Sequence, residues 1–241
     1  MRPSVILIPG NMCDARLWDG GKRVLRRALA ERGLAIIDAD TTRDATIPAM
    51  ALRALAGCDG LILPVGFSMG AIVALAMAQH AAERIPGIAL FGLNAGPDLP
   101  ERSAVRLRQQ ADVRQGRLER VIVEELKPNY LAAANRRDKA LLALLRDMGM
   151  ALGPEVFLAQ SEALRDREDL RGVLGTAKMQ VLLGCGVDDG LCPPAWHRDW
   201  AARVGNGRLE IFADAGHMLP LEAPQAFADT LIAWMEERNF V

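Results

Sequence analysis

Residues Leu61–Gly70 read LILPVGFSMG. The run Leu61–Phe67 is apolar without alternation, which predicts a strand buried on both faces of a sheet. Met69–Ala82 follows at once. It is almost wholly apolar and rich in alanine, which predicts a buried helix. Between the two, Gly66-Phe67-Ser68-Met69-Gly70 matches G-x-S-x-G. A strand that turns sharply into a helix at such a motif lifts the serine hydroxyl clear of the sheet, and small flanking residues avoid clashes in the turn. The helix N-terminus aims backbone N–H groups at the same point. The plain structural alternative is a glycine-rich turn with a capping serine. Only four serines occur, at Ser4, Ser68, Ser103 and Ser161, so one inside this motif is informative.

Outward from this stretch, short apolar runs alternate with helical patterns. The other runs are Ser4–Ile8, Leu34–Asp38, Ile88–Gly92, Met179–Cys185 and Arg208–Phe212. Helices are expected at Lys22–Glu31, closed by Gly33, at Ala195–Val204 after Pro193-Pro194, and at Pro224–Arg238. The pattern predicts an α/β fold with a mostly parallel central sheet of about six strands and helices on both faces. The strand rhythm stops between about Asp98 and Ala177, where the chain turns helical and charged. The division expected is a core of residues 1–97 and 176–241 with a helical cap of residues 98–175. Ligands of open parallel sheets bind beyond the C-terminal strand ends, so this insertion is expected to lie over the site.

Two further segments leave strand ends on the same side. Gly186-Val187-Asp188-Asp189-Gly190-Leu191-Cys192-Pro193 follows Met179–Cys185, and Ala215-Gly216-His217-Met218-Leu219-Pro220 follows Arg208–Phe212. A serine hydroxyl needs an adjacent base at neutral pH. His217 is placed for that role, with an aspartate, Asp188 or Asp189, to orient it. His80, twelve residues along the helix from Ser68, has a plainer reading as a helix-surface or packing residue, and His197, at a helix start, as a partly exposed helical histidine.

With LIPGN near the N-terminus, GFSMG, GVDDGLCPP and GHMLPLEAPQAF, the chain resembles the alpha/beta hydrolases of the small, lidded, serine-triad kind, over nearly its whole length. The resemblance implies that Ser68 is the nucleophile and His217 the general acid–base. Counted back from Cys192-Pro193-Pro194, it puts the orienting acid on Asp189, with Asp188 as the fallback. The oxyanion N–H donors fall on Met69, after the nucleophile, and on Asn11. The family's usual His-Gly-x loop reads Pro9-Gly10-Asn11 here, so the loop's bonding must be rerouted. The implied activity is carboxylesterase-like: hydrolysis of a small ester or thioester through an acyl-enzyme, with no cofactor and no metal. The same triad also serves carbon–carbon bond hydrolysis. A ligand-binding or signalling protein on the same scaffold is the reading from a different class. Family members usually begin with an antiparallel strand pair. Only three residues precede Ser4, so Leu34–Asp38 is expected at an open sheet edge, where a homodimer could form.

Met12, Met69 and Met218 adjoin the motifs, and Met148, Met150, Leu152 and Phe157 lie in the insertion. Flexible apolar side chains of this kind suit an acyl pocket, with Met12, Met218, Met148 and Phe157 the expected lining. Packing between loops is the competing reading. Glu101–Arg120 holds six arginines and three acids, a pattern that fits attraction of an anionic substrate or acyl carrier but also a solvated helix face.

Composition narrows the partners. The 241 residues carry 29 basic and 30 acidic side chains, a formal net charge of -1. That excludes a protein occupied mainly with nucleic-acid backbones and argues against a polybasic membrane anchor. Cys13, Cys58, Cys185 and Cys192 form no CxxC pair, and Asp188, Asp189 and His197 lack a metal-ligand spacing. Scattered thiols, no leader pattern and no apolar span of about 18 residues point to the cytoplasm and a small-molecule substrate.

Overall fold

The computed structural model describes residues 3–126 and 130–240. Six strands form one sheet: β1 (Ser4–Ile8), β2 (Ile36–Asp38), β3 (Ile62–Phe67), β4 (Gly87–Phe91), β5 (Gln180–Gly186) and β6 (Gly207–Phe212). Their order is β2-β1-β3-β4-β5-β6, and every neighbouring pair is parallel. Every residue of β3 and β4 is buried, which is why these runs carry no polar alternation. Strand order reverses between β1 and β3, so a crevice opens beyond their C-terminal ends. β2, only three residues long, is one edge of the sheet.

Helices α1 (Asp19–Ala30), α2 (Ile47–Ala56) and α3 (Met69–His80) belong to the first half of the sheet, and α8 (Pro194–Arg203) and α10 (Pro224–Glu237) to the second. One apolar layer packs α2, α3 and α8 on one sheet face. A second packs α1 and α10 on the other, around Trp18, Phe91, Phe227 and Trp234. Helix α2 has no counterpart in the expected elements, although its signals are present. Thr46 caps it through the Ala49 N–H at 3.3 Å, Pro48 sits in its first turn, and its buried residues Ile47, Met50, Ala51, Ala54 and Leu55 follow helical spacing.

Between β4 and β5 the described chain is helical: α4 (Pro100–Arg114), α5 (Leu118–Arg120), a π-helical turn (Val121–Leu126), α6 (Lys139–Arg165) and α7 (Arg171–Gly175). Helix α6 breaks at Gly153, whose φ of +81° leaves helical space just before Pro154. This segment has its own small core of Val113, Leu118, Val121, Ile122 and Phe157, into which Met12 reaches from the loop after β1. Among the described residues no helix is long and apolar enough to cross a membrane.

Candidate active site

The turn after β3 is built by two glycines and one strained residue. Ser68 takes φ +53° and ψ −114°, a region side chains rarely adopt, so the turn holds it against a local cost. A Cβ on Gly66 would lie 2.3 Å from the Gly70 carbonyl oxygen, and one on Gly70 would lie 2.0 Å from that of Ile8. Only glycine lets β1, β3 and α3 meet so closely. The ladder continues into the turn, with Ser68 N–H donating to the Phe91 carbonyl at 2.8 Å. The N–H of Met69 lies in the first turn of α3, where donors have no intrahelical partner.

Beyond β6, His217 meets the Ser68 hydroxyl. Its Nε2 lies 3.0 Å from Ser68 Oγ, and its Nδ1 lies 2.8 Å from Asp189 Oδ2. The other Asp189 oxygen accepts the N–H groups of Leu191 at 2.9 Å and Cys192 at 2.8 Å. Burial opposes the ionised form of Asp189. The facing imidazole, its hydrogen bond and the two backbone N–H groups outweigh that, holding the carboxyl below its usual range. Asp188 is exposed. The acid loop and the histidine loop are joined by the bond from Asp188 N–H to the Ala215 carbonyl at 3.0 Å. The ring of His217 lies between Phe67, at 5.1 Å, and Tyr130, at 5.9 Å. Gly92 leaves room beneath it, since a Cβ there would stand 3.1 Å from His217 Cε1.

Two polar residues that the sequence reading passed over hold this site to the helical segment. Gln160, on α6, is fully buried. Its oxygen accepts Met12 N–H at 2.8 Å and Asn11 Nδ2 at 3.1 Å, while its nitrogen donates to the Thr41 carbonyl at 3.2 Å. The loop after β1 is therefore rerouted onto α6. Among the described residues no acceptor takes the Asn11 N–H. Glu222 is the second. It accepts Gly216 N–H at 2.9 Å, Ala132 N–H at 2.7 Å and Asn135 Nδ2 at 2.9 Å, tying the histidine loop to residues 132–135. A buried glutamine in an otherwise apolar helix face was the available signal for the first, and the glutamate inside GHMLPLEAP for the second.

A cavity of about 330 Å³ opens over Ser68 and His217. Its lining includes Asn11, Met69 and Met218 together with Arg102, Arg106, Tyr130 and Arg167. The expected apolar lining is therefore corrected in part. Met218 faces the cavity, but Met12, Met148 and Phe157 do not. Met12 and Phe157 fill the core of the helical segment, and Met148 packs with Leu145 on the sheet-side layer. The helical faces carrying Met148 and Phe157 are buried against the protein interior, and Met12 is drawn from the loop into the same small core as Phe157.

His197 departs from the reading as a partly exposed helical histidine. It is fully buried, with Nε2 accepting the Leu93 N–H at 3.0 Å and Nδ1 3.3 Å from the Pro193 carbonyl oxygen. Burial pushes its pKa below the ordinary 6.5. His80 lies exposed at the far end of α3.

The profile of the Alpha/beta hydrolase family matches residues 5–230. An esterase from Thermogutta terrifontis superposes with a TM-score of 0.86 at 25% identity, covering 98% of this chain and 90% of that one. The enol-lactonase from Burkholderia xenovorans LB400 superposes at 0.81 with 21% identity, covering 98% and 92%. A bromoperoxidase from Bacillus anthracis does so at 0.80 with 17% identity, covering 98% and 92%. The last two share the fold with this chain.

Proposed function

The chain belongs to the alpha/beta hydrolase family, and we propose that within it the protein is a serine hydrolase of small esters. The observation that carries this reading is one line of contacts on the cavity floor. Ser68 Oγ stands 3.0 Å from His217 Nε2, and His217 Nδ1 stands 2.8 Å from a buried carboxylate. Those distances suit proton transfer from a hydroxyl to a base whose tautomer is fixed from behind. The similarity to an esterase along nearly the whole chain supports the choice of bond.

The steps follow from the geometry. Asp189 accepts the Nδ1–H of His217, which leaves the Nε2 lone pair facing Ser68. As Ser68 Oγ bonds to the ester carbonyl carbon, its proton passes to Nε2. The carbonyl oxygen becomes an oxyanion, for which the N–H groups of Met69 and Asn11 are the donors. Collapse breaks the bond to the alcohol oxygen, which takes the proton from Nε2. Water then enters, gives a proton to Nε2 and attacks the acyl-serine. The acid leaves as Ser68 Oγ recovers the proton. Asp189 carries the orienting role, since its two oxygens are committed to the site while Asp188 is exposed. The four buried, unpaired thiols suit a reducing compartment, and a cytoplasmic location goes with this reading.

A p-nitrophenyl ester series of graded acyl length tests the proposal. Turnover that is highest for short chains, suited to a cavity of about 330 Å³, and absent in Ser68→Ala is the expected result. Turnover that survives in Ser68→Ala, or no turnover of any member, would count against it.

A further inference from the structure

One face of α4 lines the cavity that holds Ser68. Arg102 and Arg106 stand four residues apart on it, so they are neighbours on that face. Arg108, Arg117 and Arg120 are engaged elsewhere, with Glu125 and Asp112. Arg167, from the end of α6, lines the cavity beside them.

The charge of this wall is not balanced from within. Asp98 is shared by Arg167, at 2.8 Å, and Arg106, at 2.9 Å, and its side chain is 1% exposed. One carboxylate against two guanidiniums leaves a positive charge in excess. Arg167 also donates to the carbonyls of Gly96, Pro97 and Leu164, which uses most of its N–H groups. Arg106 gives Asp98 only its Nε–H, and among the described residues no acceptor takes its two Nη groups. Arg102 donates one Nη2–H to the Leu191 carbonyl at 2.6 Å and lies 5.8 Å over the Trp196 ring. No carboxylate pairs with it among the described residues. The other acids of the wall do not neutralise the pair. Glu125 is taken by Arg108, Arg120 and Gln109, and Glu101 is exposed. Both charges reach groups that border the triad. Arg106 works against the burial that raises the Tyr130 phenol, whose ring adjoins His217, and Arg102 does the same at Cys192, beside the acid loop.

We propose that the Ser68 site takes small esters that carry a carboxylate, held by Arg106 and Arg102. This rests on the reading of Ser68 as the nucleophile. Two planar guanidiniums with unspent donors match a carboxylate's two oxygens, and a half-buried wall strengthens the pairing over that in water. A cavity of about 330 Å³ limits the whole molecule to a small one.

The test compares methyl hydrogen glutarate with methyl 4-carbamoylbutanoate, its neutral amide of the same shape, by following acid release at constant pH. The expected kcat/KM ratio favours the anionic ester by about tenfold or more, carried mainly in KM. Arg102→Gln and Arg106→Gln each bring the ratio toward one, and Arg106→Lys retains part of it. Each ratio is taken on one protein sample, so a partly unfolded variant does not distort it. Protection of Ser68 from a fluorophosphonate probe by glutarate but not by glutaramide gives the same reading without turnover. A wild-type ratio near one with equal protection by both ligands, or a ratio unmoved in both glutamine variants, overturns the proposal and leaves the hydrolase reading standing. If Ser68 neither reacts with the probe nor supports hydrolysis of p-nitrophenyl acetate, the hydrolase reading fails and the proposal with it.

Discussion

The C-terminal edge of the sheet and the helical segment between β4 and β5 meet at one cavity but are built by different physics. At the sheet edge, position comes from backbone: glycines that admit contacts no side chain would allow, a serine held at φ +53°, and loops zipped by main-chain bonds. In the helical segment it comes from side chains. Gln160 holds the loop after β1, residues 132–135 are tied to the histidine loop through Glu222 of the core, and Asp98, Arg106 and Arg167 close the neck where the segment leaves and rejoins the core. The sheet edge fixes Ser68, Asp189 and His217, and the helical segment walls the cavity they open on and holds the loop after β1 in place.

The largest effect expected is on the sheet side. Ser68→Ala should lower kcat by about 10⁶-fold with the fold intact, as removing the nucleophile of a unit that acts together does. A loss of only tenfold in ester turnover would mean that the chemistry does not run through this turn. Next comes the neck. Arg167→Met leaves Asp98 buried against Arg106 alone and should cost about 3 kcal/mol, read as a lower urea midpoint at unchanged slope. Amide exchange should then quicken in α4 and α6 before it does in β3 and β4. Uniform quickening would show that the two regions melt as one.

The division is sharpest at Gln160, which belongs to the helical segment by sequence and to the oxyanion loop by contact. Gln160→Leu should lower kcat by about 10- to 100-fold while KM moves little, because the loop loses the acceptor that holds Met12 N–H and the Asn11 side chain. A change confined to KM would reduce the helical segment to a wall. The smallest effect concerns His197, in the core beneath the acid loop. Its neutral ring accepts the Leu93 N–H, and its pKa lies below the ordinary 6.5. The unfolded chain therefore takes up the proton first. Stability from this group is full above pH 6.5 and falls as pH drops toward the folded value, by at most about 1.4 kcal/mol per pH unit. His197→Gln should flatten that slope in chemical denaturation between pH 6.5 and 5.5, and an unchanged slope would assign it to other groups.

The same contrast explains what the sequence made legible. Strands buried on both faces leave continuous apolar runs, so all six were readable to within two residues at each end. The residues now lined up as Ser68, Asp189 and His217 were readable because each sits in a short motif at a strand end. The count back from Cys192-Pro193-Pro194 favoured Asp189 over Asp188, but which of the two turns inward to His217 depends on how the loop turns. The helical segment gave little away. Its apolar side chains follow one spacing whether they face a ligand or the protein interior, and Met148 and Phe157 face the interior. Its six early arginines look alike in sequence, yet only Arg102 and Arg106 of them line the cavity, which depends on the rotation of α4. A lone glutamine on an apolar helix face marked Gln160 as unusual, but its partners lie more than a hundred residues away, so its role was not legible.

The most direct measurement is the intact mass of the protein after brief exposure to a small fluorophosphonate, with the adduct located by peptide mapping. Activation of Ser68 by His217 predicts one adduct per chain, on Ser68, strongly slowed in His217→Ala and absent in Ser68→Ala. No adduct on the folded wild-type protein, or labelling at the same rate in His217→Ala, would contradict it.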